Sequence, residues 1–524
     1  MSKQINIYDT TLRDGTQGEQ VNLSAEDKLR IAQKLDDFGV QYVEGGWPAS
    51  NPKDERFFEM ARKVSFKKIN LTAFGSTRRR QIRPENDRNV KALLDTEVET
   101  VTIVGKSWEL HVLQVLGASL NENLSMIEDT VSYLKRHGRE IIYDAEHFFD
   151  GYRHNPAYAL ETMRAAINGG ADIIVLCDTN GGTMAAEIQS TIREAMANTT
   201  LPVGIHAHND CGLALSNSLV AVQSGVTMVQ GTVNGYGERC GNADLISLIG
   251  NLQYKMGYQC IAPQSLKLLT ELSRYVSEVA NVPPLNYRPF VGKSAFAHKG
   301  GIHVSAIMKN PAAYEHMDPE HVGNRRRVLV SDLSGKSNIE YKSREMAINL
   351  NGNGFDSRKI VHEIKKLEDQ GYQFDAAEGS LELLIKKVSG QFEDPFTLES
   401  FRVTTEKDRS GLSTSQATIK ISVGKDYEIT AAEGDGPVNA LDNALRKALT
   451  KFFPQIEEIR LVDFKVRVID GGEATAAKVR VQIETRDARE IWSTIGVSEN
   501  VIEASWQALV DSVQYKLSRE SNER

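Results

Sequence analysis

Cysteine is scarce in this chain of 524 residues: Cys177, Cys211, Cys240 and Cys260 are the four, with no CxxC pair. So few exclude a disulfide scaffold, and the missing pair argues against a closed structural zinc site. No run approaches the roughly 18–20 uninterrupted apolar residues of a membrane helix. The opening residues, Met1-Ser2-Lys3-Gln4, lead straight into a strand pattern and leave no room for the apolar region of a signal peptide. Positive charge is not in excess: 62 lysines and arginines stand against 70 aspartates and glutamates, a net charge of −8. That balance gives no footing for nucleic-acid binding. Low-complexity tracts and solenoid-like repeats are missing too. The expectation left is a cytoplasmic protein acting on small molecules, with neither nucleic acid nor membrane as partner. The length predicts two or three domains of roughly 100–250 residues each.

What is present begins with a rhythm. Short β-branched runs at 5–8, 42–45, 70–74, 100–104, 140–143, 172–177, 202–206 and 227–231 alternate with longer amphipathic stretches. Among the latter are 24–38, where Ser24 and Asp27 form a capping-box pattern, and 155–168. Alternation of this kind implies a parallel sheet, and eight units in about 250 residues imply a (β/α)8 TIM barrel. A doubly wound sheet would usually carry GxGxxG after its first strand; the turn here reads Leu12-Arg13-Asp14-Gly15-Thr16-Gln17. The texture then changes twice. We expect a catalytic barrel over 1–265, largely helical linker subdomains over 266–392, and a C-terminal α+β domain over 393–524. In the last, strand patterns at 417–423, 459–468 and 476–484 frame helices near 437–452 and 500–517. The apolar stretches 110–116 and 383–385 read as core.

A barrel of this type gathers its chemistry at the C-terminal ends of the strands. Arg13 and Asp14 follow the first run, Glu44 ends the second, Lys106 follows the fourth and Glu146 the fifth. Asp178 and Thr179 follow the sixth, His206 and His208 end the seventh, and Asn234 with 238–242 follow the eighth. In His206-Ala207-His208 the two imidazoles face one side of a strand and can converge on one ion. Alone, such a pair can also be a coincidence of core or surface. Asp14 offers an anionic oxygen to the same point, and Asn242 an amide. Two imidazoles, a carboxylate and an amide suit a divalent metal such as Mn²⁺, Mg²⁺ or Zn²⁺. Arg13 beside it can neutralise an oxyanion or form a salt bridge across the rim. The Thr179 hydroxyl suits a substrate carboxylate, with a helix cap as the alternative. Arg78-Arg79-Arg80 reads as a solvated loop, although a phosphate would suit it. Near the C-terminus, Gly434-Asp435-Gly436-Pro437 forms a glycine-rich turn into a helix, which either binds an anion or simply turns.

Three blocks carry a resemblance: Asp9-Thr10-Thr11-Leu12-Arg13-Asp14-Gly15, His206-Ala207-His208-Asn209-Asp210, and Gly235-Tyr236-Gly237-Glu238-Arg239-Cys240-Gly241-Asn242-Ala243. They resemble the 2-isopropylmalate synthase family, which also holds homocitrate and citramalate synthases and, more distantly, the 3-hydroxy-3-methylglutaryl-CoA lyases. The resemblance extends over nearly the whole chain. The blocks at 44–54, 105–108 and 143–151 are similar to the citramalate synthase branch. What this implies is condensation of acetyl-CoA with pyruvate, then thioester hydrolysis to (R)-citramalate and CoA, opening a threonine-independent route to isoleucine. The same chemistry on a larger 2-oxo acid would give 2-isopropylmalate or homocitrate. A non-catalytic amino-acid sensor is the reading from another class, and the presence of Arg13, Asp14, His206, His208 and Asn242 argues against it. The resemblance assigns the metal to Asp14, His206, His208 and Asn242, and catalysis to Arg13, Glu146, His303 and Tyr314. It assigns substrate contacts to Arg13, Gln17, Glu44 and Thr179. His303 would be the base, delivered from the partner chain of a homodimer, with His298 as a near neighbour. Ser305 stands where many relatives have an acidic residue. Residues Gly434, Asp435, Gly436 and Pro437 would belong to a regulatory domain that takes isoleucine as effector.

Overall fold

The computed structural model describes residues 3–350, 356–469 and 477–521. The chain divides into two compact units. One comprises Met1–Phe296 with Asp318–Arg325, the other Ala297–Met317 with Arg326–Arg524.

The first unit is a closed eight-stranded barrel with strands in sequence order. They are β1 (Asn6–Asp9), β2 (Tyr42–Gly46), β3 (Asn70–Ser76), β4 (Thr100–Lys106), β5 (Glu140–Glu146), β6 (Ile173–Asp178), β7 (Val203–Ala207) and β8 (Met228–Gly231). All eight pairings are parallel, and β1 closes the ring on β8 with Tyr8 opposite Gln230. Strands covered on both faces read as continuous apolar runs, which is why all eight were legible. β2, β6, β7 and β8 are buried along their whole length. Inside, Tyr8, Tyr42, Ile142, Val175, Cys177 and Met228 pack against one another and fill the barrel. β5 runs past its apolar segment because Val104 pairs with Asp144 and Lys106 with Glu146. That extension puts Asp144 and Glu146 on the strand itself.

The helices start and stop where local chemistry dictates. Ser24 and Asp27 form the expected capping box on Ala25–Phe38, and Gly39 ends that helix at φ 96°, a left-handed position where glycine carries no side-chain penalty. Asn155 caps Pro156–Gly169. One stretch departs from expectation. His111–Leu116 is a single wide π-turn in which Val112 is buried while Leu113 and Val115 are 53% and 63% exposed. A short wide turn presents only one side to the core, so its apolar content is not a measure of burial.

The second unit opens with a two-stranded pairing of β9 (Ala297–His298) and β10 (Arg327–Val328), with helices Gly301–Lys309, Lys336–Glu345, Arg358–Asp369 and Glu378–Val388. Leu383 and Ile385 are buried, as expected. Two antiparallel sheets follow: β11 (Thr397–Lys407), β12 (Ser413–Val423) and β13 (Asp426–Gly434), then β14 (Arg460–Val468), β15 (Val479–Arg486) and β16 (Ile491–Ser498). Each sheet precedes one helix, Pro437–Leu449 and Val501–Ser521. Ile419, Ile421, Leu441, Leu445, Val481, Ile483 and Leu509 are among the residues of their common core. Of the six strands, β11, β13 and β16 were not anticipated; residue 476, where the third expected run begins, lies outside the described residues.

Candidate active site

The turn after β1 is built by its own side chains. The Asp9 carboxylate accepts from the backbone N–H and the hydroxyl of Thr11, both at 2.9 Å, while Thr11 Oγ1 accepts from Val233 N at 2.8 Å. Burial pushes the Asp9 carboxyl up to about 7. The caged turn delivers Arg13 and Asp14 to the C-terminal mouth. Glu44, fully buried on β2, accepts from Tyr8 Oη, Thr10 Oγ1 and Arg13 Nε. The guanidinium carbon of Arg13 lies 3.9 Å from the centroid of Phe74, and Trp47 meets Phe74 edge-on at 5.4 Å. Charge and ring thus hold one arginine from two sides. Burial opposes its charge, yet Glu44 and Asp14 hold it above the usual range.

β7 brings His206 and His208 to Asp14, and their ligand atoms lie within 4.8 Å of one another. His206 Nε2 is 3.3 Å from Asp14 Oδ2 and 3.2 Å from His208 Nε2. Asn242 Nδ2 donates to Asp14 Oδ2 at 3.0 Å. Asn242 reaches this point because residues 208 and 242 form an antiparallel bridge. The loop approach demands glycine: a Cβ on Gly241, at φ 86°, would stand 2.0 Å from Gly235 O. Burial opposes the Asp14 charge, and Arg13 and His206 outweigh it, holding the carboxyl well below its usual range. Burial and then His206 push His208 down to about 3. Asp14 Oδ1 and Asn242 Oδ1 are buried without a hydrogen-bond partner. Buried acceptors left open beside two imidazoles fit a cation, which would coordinate them.

A cavity of about 580 Å³ opens over this cluster, lined by Arg13, Asp14, Trp47, Phe74, His206 and His208. Gln17, Glu146 and Thr179 also line it. Glu146 is ion-paired with Lys106. Thr179 Oγ1 accepts from His147 N at 2.9 Å, which leaves its O–H to donate. The helix after it, Ala185–Ala197, is preceded by Met184, so Thr179 is not its cap. Glu44 is absent from the lining and its oxygens are taken by Tyr8, Thr10 and Arg13. Asp178 accepts from Thr183, and Asn234 ties to Ser273 and Ser277; both are structural contacts. Arg78 is buried against Glu122 and Asp129, so its loop is built rather than solvated, although Arg79 and Arg80 are exposed.

His303 and Tyr314 belong to the second unit, where their rings pack at 4.2 Å. Both are exposed. The carboxylate contact there belongs to His298, whose Nε2 is 3.0 Å from the buried Glu315, itself paired with Arg326. In the same unit Gly436 precedes the helix Pro437–Leu449 without a side-chain cap. Asp435 N donates to Asn439 Oδ1, and a Cβ on Gly434 would meet Ala440 N at 2.4 Å. A cavity of about 490 Å³ beside this turn is lined by Val438, Asn439, Asp442, Arg446, Leu461 and Phe464.

Two residues at the barrel mouth escaped the sequence reading. Asp144 lines the cavity and Gln230 bonds it; burial pushes the Asp144 carboxyl up to about 7. The available signal was a lone polar residue inside an apolar strand run.

Comparison with known proteins accords with this geometry. Residues 4–276 match the HMGL-like family, 290–372 the homocitrate synthase post-HMGL domain-like family, and 375–517 the LeuA allosteric (dimerisation) domain. An (R)-citramalate synthase of Aquifex aeolicus is 53% identical, over 100% of this chain and 99% of its own. One from Geobacter sulfurreducens is 52% identical, covering 98% of each chain. A 2-isopropylmalate synthase of Methanocaldococcus jannaschii is 31% identical over 98% of this chain and 95% of its own. A buried Asp-His-His cluster under a barrel-mouth cavity, and full-length identity above one half, lead to one conclusion: the chain belongs to the HMGL-like family and, within it, to the citramalate synthases.

Proposed function

We propose that this protein condenses acetyl-CoA with pyruvate and hydrolyses the thioester, releasing (R)-citramalate and CoA. The observation that carries this is the buried Asp14–His206–His208 cluster with Arg13 against it, in a chain whose relatives at 52–53% identity are (R)-citramalate synthases. Asp14, His206, His208 and Asn242 would hold a divalent cation (Mn²⁺, Mg²⁺ or Zn²⁺), which when bound supplies Lewis acidity at the ketone of the 2-oxo acid. Thr179 donates its hydroxyl to the pyruvate carboxylate, and Gln17 contacts substrate from the rim. Arg13, locked between Glu44 and Phe74, meets the negative charge that grows on the ketone oxygen as the new carbon–carbon bond forms. Glu44 contributes by holding Arg13 rather than by touching substrate. The proton leaving the acetyl methyl goes to a base. His303, with Tyr314 against its ring, takes that role from the partner chain of a homodimer, and Glu146 lies at the acetyl end.

The turn Gly434, Asp435, Gly436 and Pro437 leads into the helix that helps line a cavity with Val438, Leu461 and Phe464 on one hand and Arg446, paired with Asp442, on the other, a setting that suits isoleucine as effector. The product would then enter a threonine-independent route to isoleucine in the cytoplasm. The test is CoA release from acetyl-CoA with Mn²⁺ or Mg²⁺ and each of pyruvate, 2-oxoisovalerate and 2-oxoglutarate. A strong preference for pyruvate supports the reading. Preference for a larger acid keeps the mechanism and overturns the acceptor.

A further inference from the structure

His206 and His208 are treated differently by the barrel. His208 Nδ1 is buried without a hydrogen-bond partner. His206 Nδ1, in contrast, is 2.9 Å from Gln230 Oε1, and Gln230 Nε2 donates to Asp144 Oδ1 at 3.0 Å. The three side chains come from β7, β8 and β5, and all three are buried, Gln230 completely. Asp144 and Gln230 sit on strands that are not neighbours, so the bond crosses the barrel interior.

The order of atoms in this chain has a chemical consequence. Gln230 Nε2 is the amide atom set against Asp144 Oδ1, so Asp144 accepts from the N–H end of the Gln230 amide. The carbonyl end must then face His206. A carbonyl only accepts, so the proton of neutral His206 sits on Nδ1 and its lone pair on Nε2. Nε2 is the atom directed at Asp14 Oδ2, His208 Nε2 and Asn242 Nδ2, at 3.3, 3.2 and 3.4 Å. With the amide reversed, an N–H would face Nδ1 and a proton on Nε2 would point into the cluster.

We propose that Gln230, held in one orientation by Asp144, is a positioning residue that selects the Nδ1–H tautomer of His206 and aims its Nε2 lone pair at the cation site. The proposal rests on the metal-site reading above. It goes beyond that reading by adding two residues outside the ligand set, Asp144 in the cavity lining and Gln230 behind it. Partners of this kind alter metal affinity by roughly 10–100-fold when removed.

Three variants separate the roles, with Mn²⁺ dissociation constants by calorimetry and thermal melting as readouts. Gln230→Leu removes both bonds at similar volume and weakens Mn²⁺ by about 10–100-fold while the protein stays folded. Asp144→Asn leaves the amide free to take either orientation and produces a smaller loss. The double variant D144N/Q230E restores affinity, because the amide introduced on β5 then donates and the carboxylate introduced on β8 still accepts from His206 Nδ1. A merely structural loss would not be repaired by that exchange. Unchanged Mn²⁺ affinity in folded Gln230→Leu overturns the proposal, as does a failure of the double variant to recover. Wild-type protein that binds Mn²⁺ no better than Asp14→Asn overturns instead the metal reading, and the proposal falls with it.

Discussion

At the barrel mouth, Asp14 Oδ1 and Asn242 Oδ1 are buried without partners, whereas among the described residues of the C-terminal sheets the buried polar groups close on each other. There, Asp487 accepts from Lys516 Nζ and from the backbone of Arg489 and Glu490, Trp492 donates to Ser512, and Thr494 donates to the Ala508 carbonyl. An unpartnered buried acceptor costs on the order of 1–3 kcal/mol, so one region carries a cost that the other avoids. The difference separates polar groups kept for a ligand from polar groups kept for the fold. Substitution should therefore cost activity in the first region and stability in the second.

The largest expected effect is on Asp14. Asp14→Asn should lower turnover to background and weaken Mn²⁺ binding in calorimetry, with the melting temperature unchanged or raised. A large fall in stability instead would break the comparison. Arg13→Gln comes next: turnover should fall about a hundred- to a thousandfold in steady-state assays, with little change in Mn²⁺ affinity. His303→Ala sharpens the contrast from the other unit. Its kcat should fall about 10²–10⁴-fold while the pyruvate KM changes little, since a base acts on the acetyl group. Retained activity would move the base to Glu146 or Tyr314. Thr179→Val should raise the pyruvate KM about ten- to a hundredfold, the worth of one hydrogen bond to a carboxylate.

The smallest effect is on stability alone. Burial opposes the Asp487 charge, but Lys516 and two backbone N–H groups hold its carboxyl down to about 2. A depressed carboxyl adds stability above its unfolded value near 4 and loses it as pH falls toward about 2. Asp487→Asn should lower the melting temperature by a few degrees at pH 7 and flatten its decline between pH 4 and 2, with turnover at neutral pH preserved.

The same contrast governs how much could be read beforehand. The barrel strands were legible because both faces are covered and each is an apolar run. β11 was not, because its outer face is exposed and polar and its inner residues alternate too sparsely to stand out, and β13 was not, because Tyr427 and Ile429 lie on its exposed side while Glu428 and Thr430 lie on its inner side. β16 is well buried, yet Trp492-Ser493-Thr494-Ile495 mixes polar and apolar residues, and the Thr494 hydroxyl is satisfied only across the fold. In the site, His206 and His208 announced themselves by their spacing, and Asp14 by its place after the first strand. His303 and Tyr314 were readable only by resemblance, since nothing in Gly300-Gly301-Ile302-His303 marks a base. Glu44 ends a strand at the chemical face, and the resemblance gives it a substrate contact. In the structure its oxygens accept from Tyr8, Thr10 and Arg13, and no pattern along one strand reports which neighbours a carboxylate will meet.

The sequence by itself determined the barrel, its direction and the face on which chemistry gathers, because strand burial, helix caps and strand-end polarity act over a few residues. Tertiary structure alone decided which polar groups became partners. Asp144 meets Gln230, 86 positions away, and Gln230 meets His206 only because strand order and register close the ring. A hydrogen bond acts over about 3 Å, so its partner is chosen by the fold and not by the local chain.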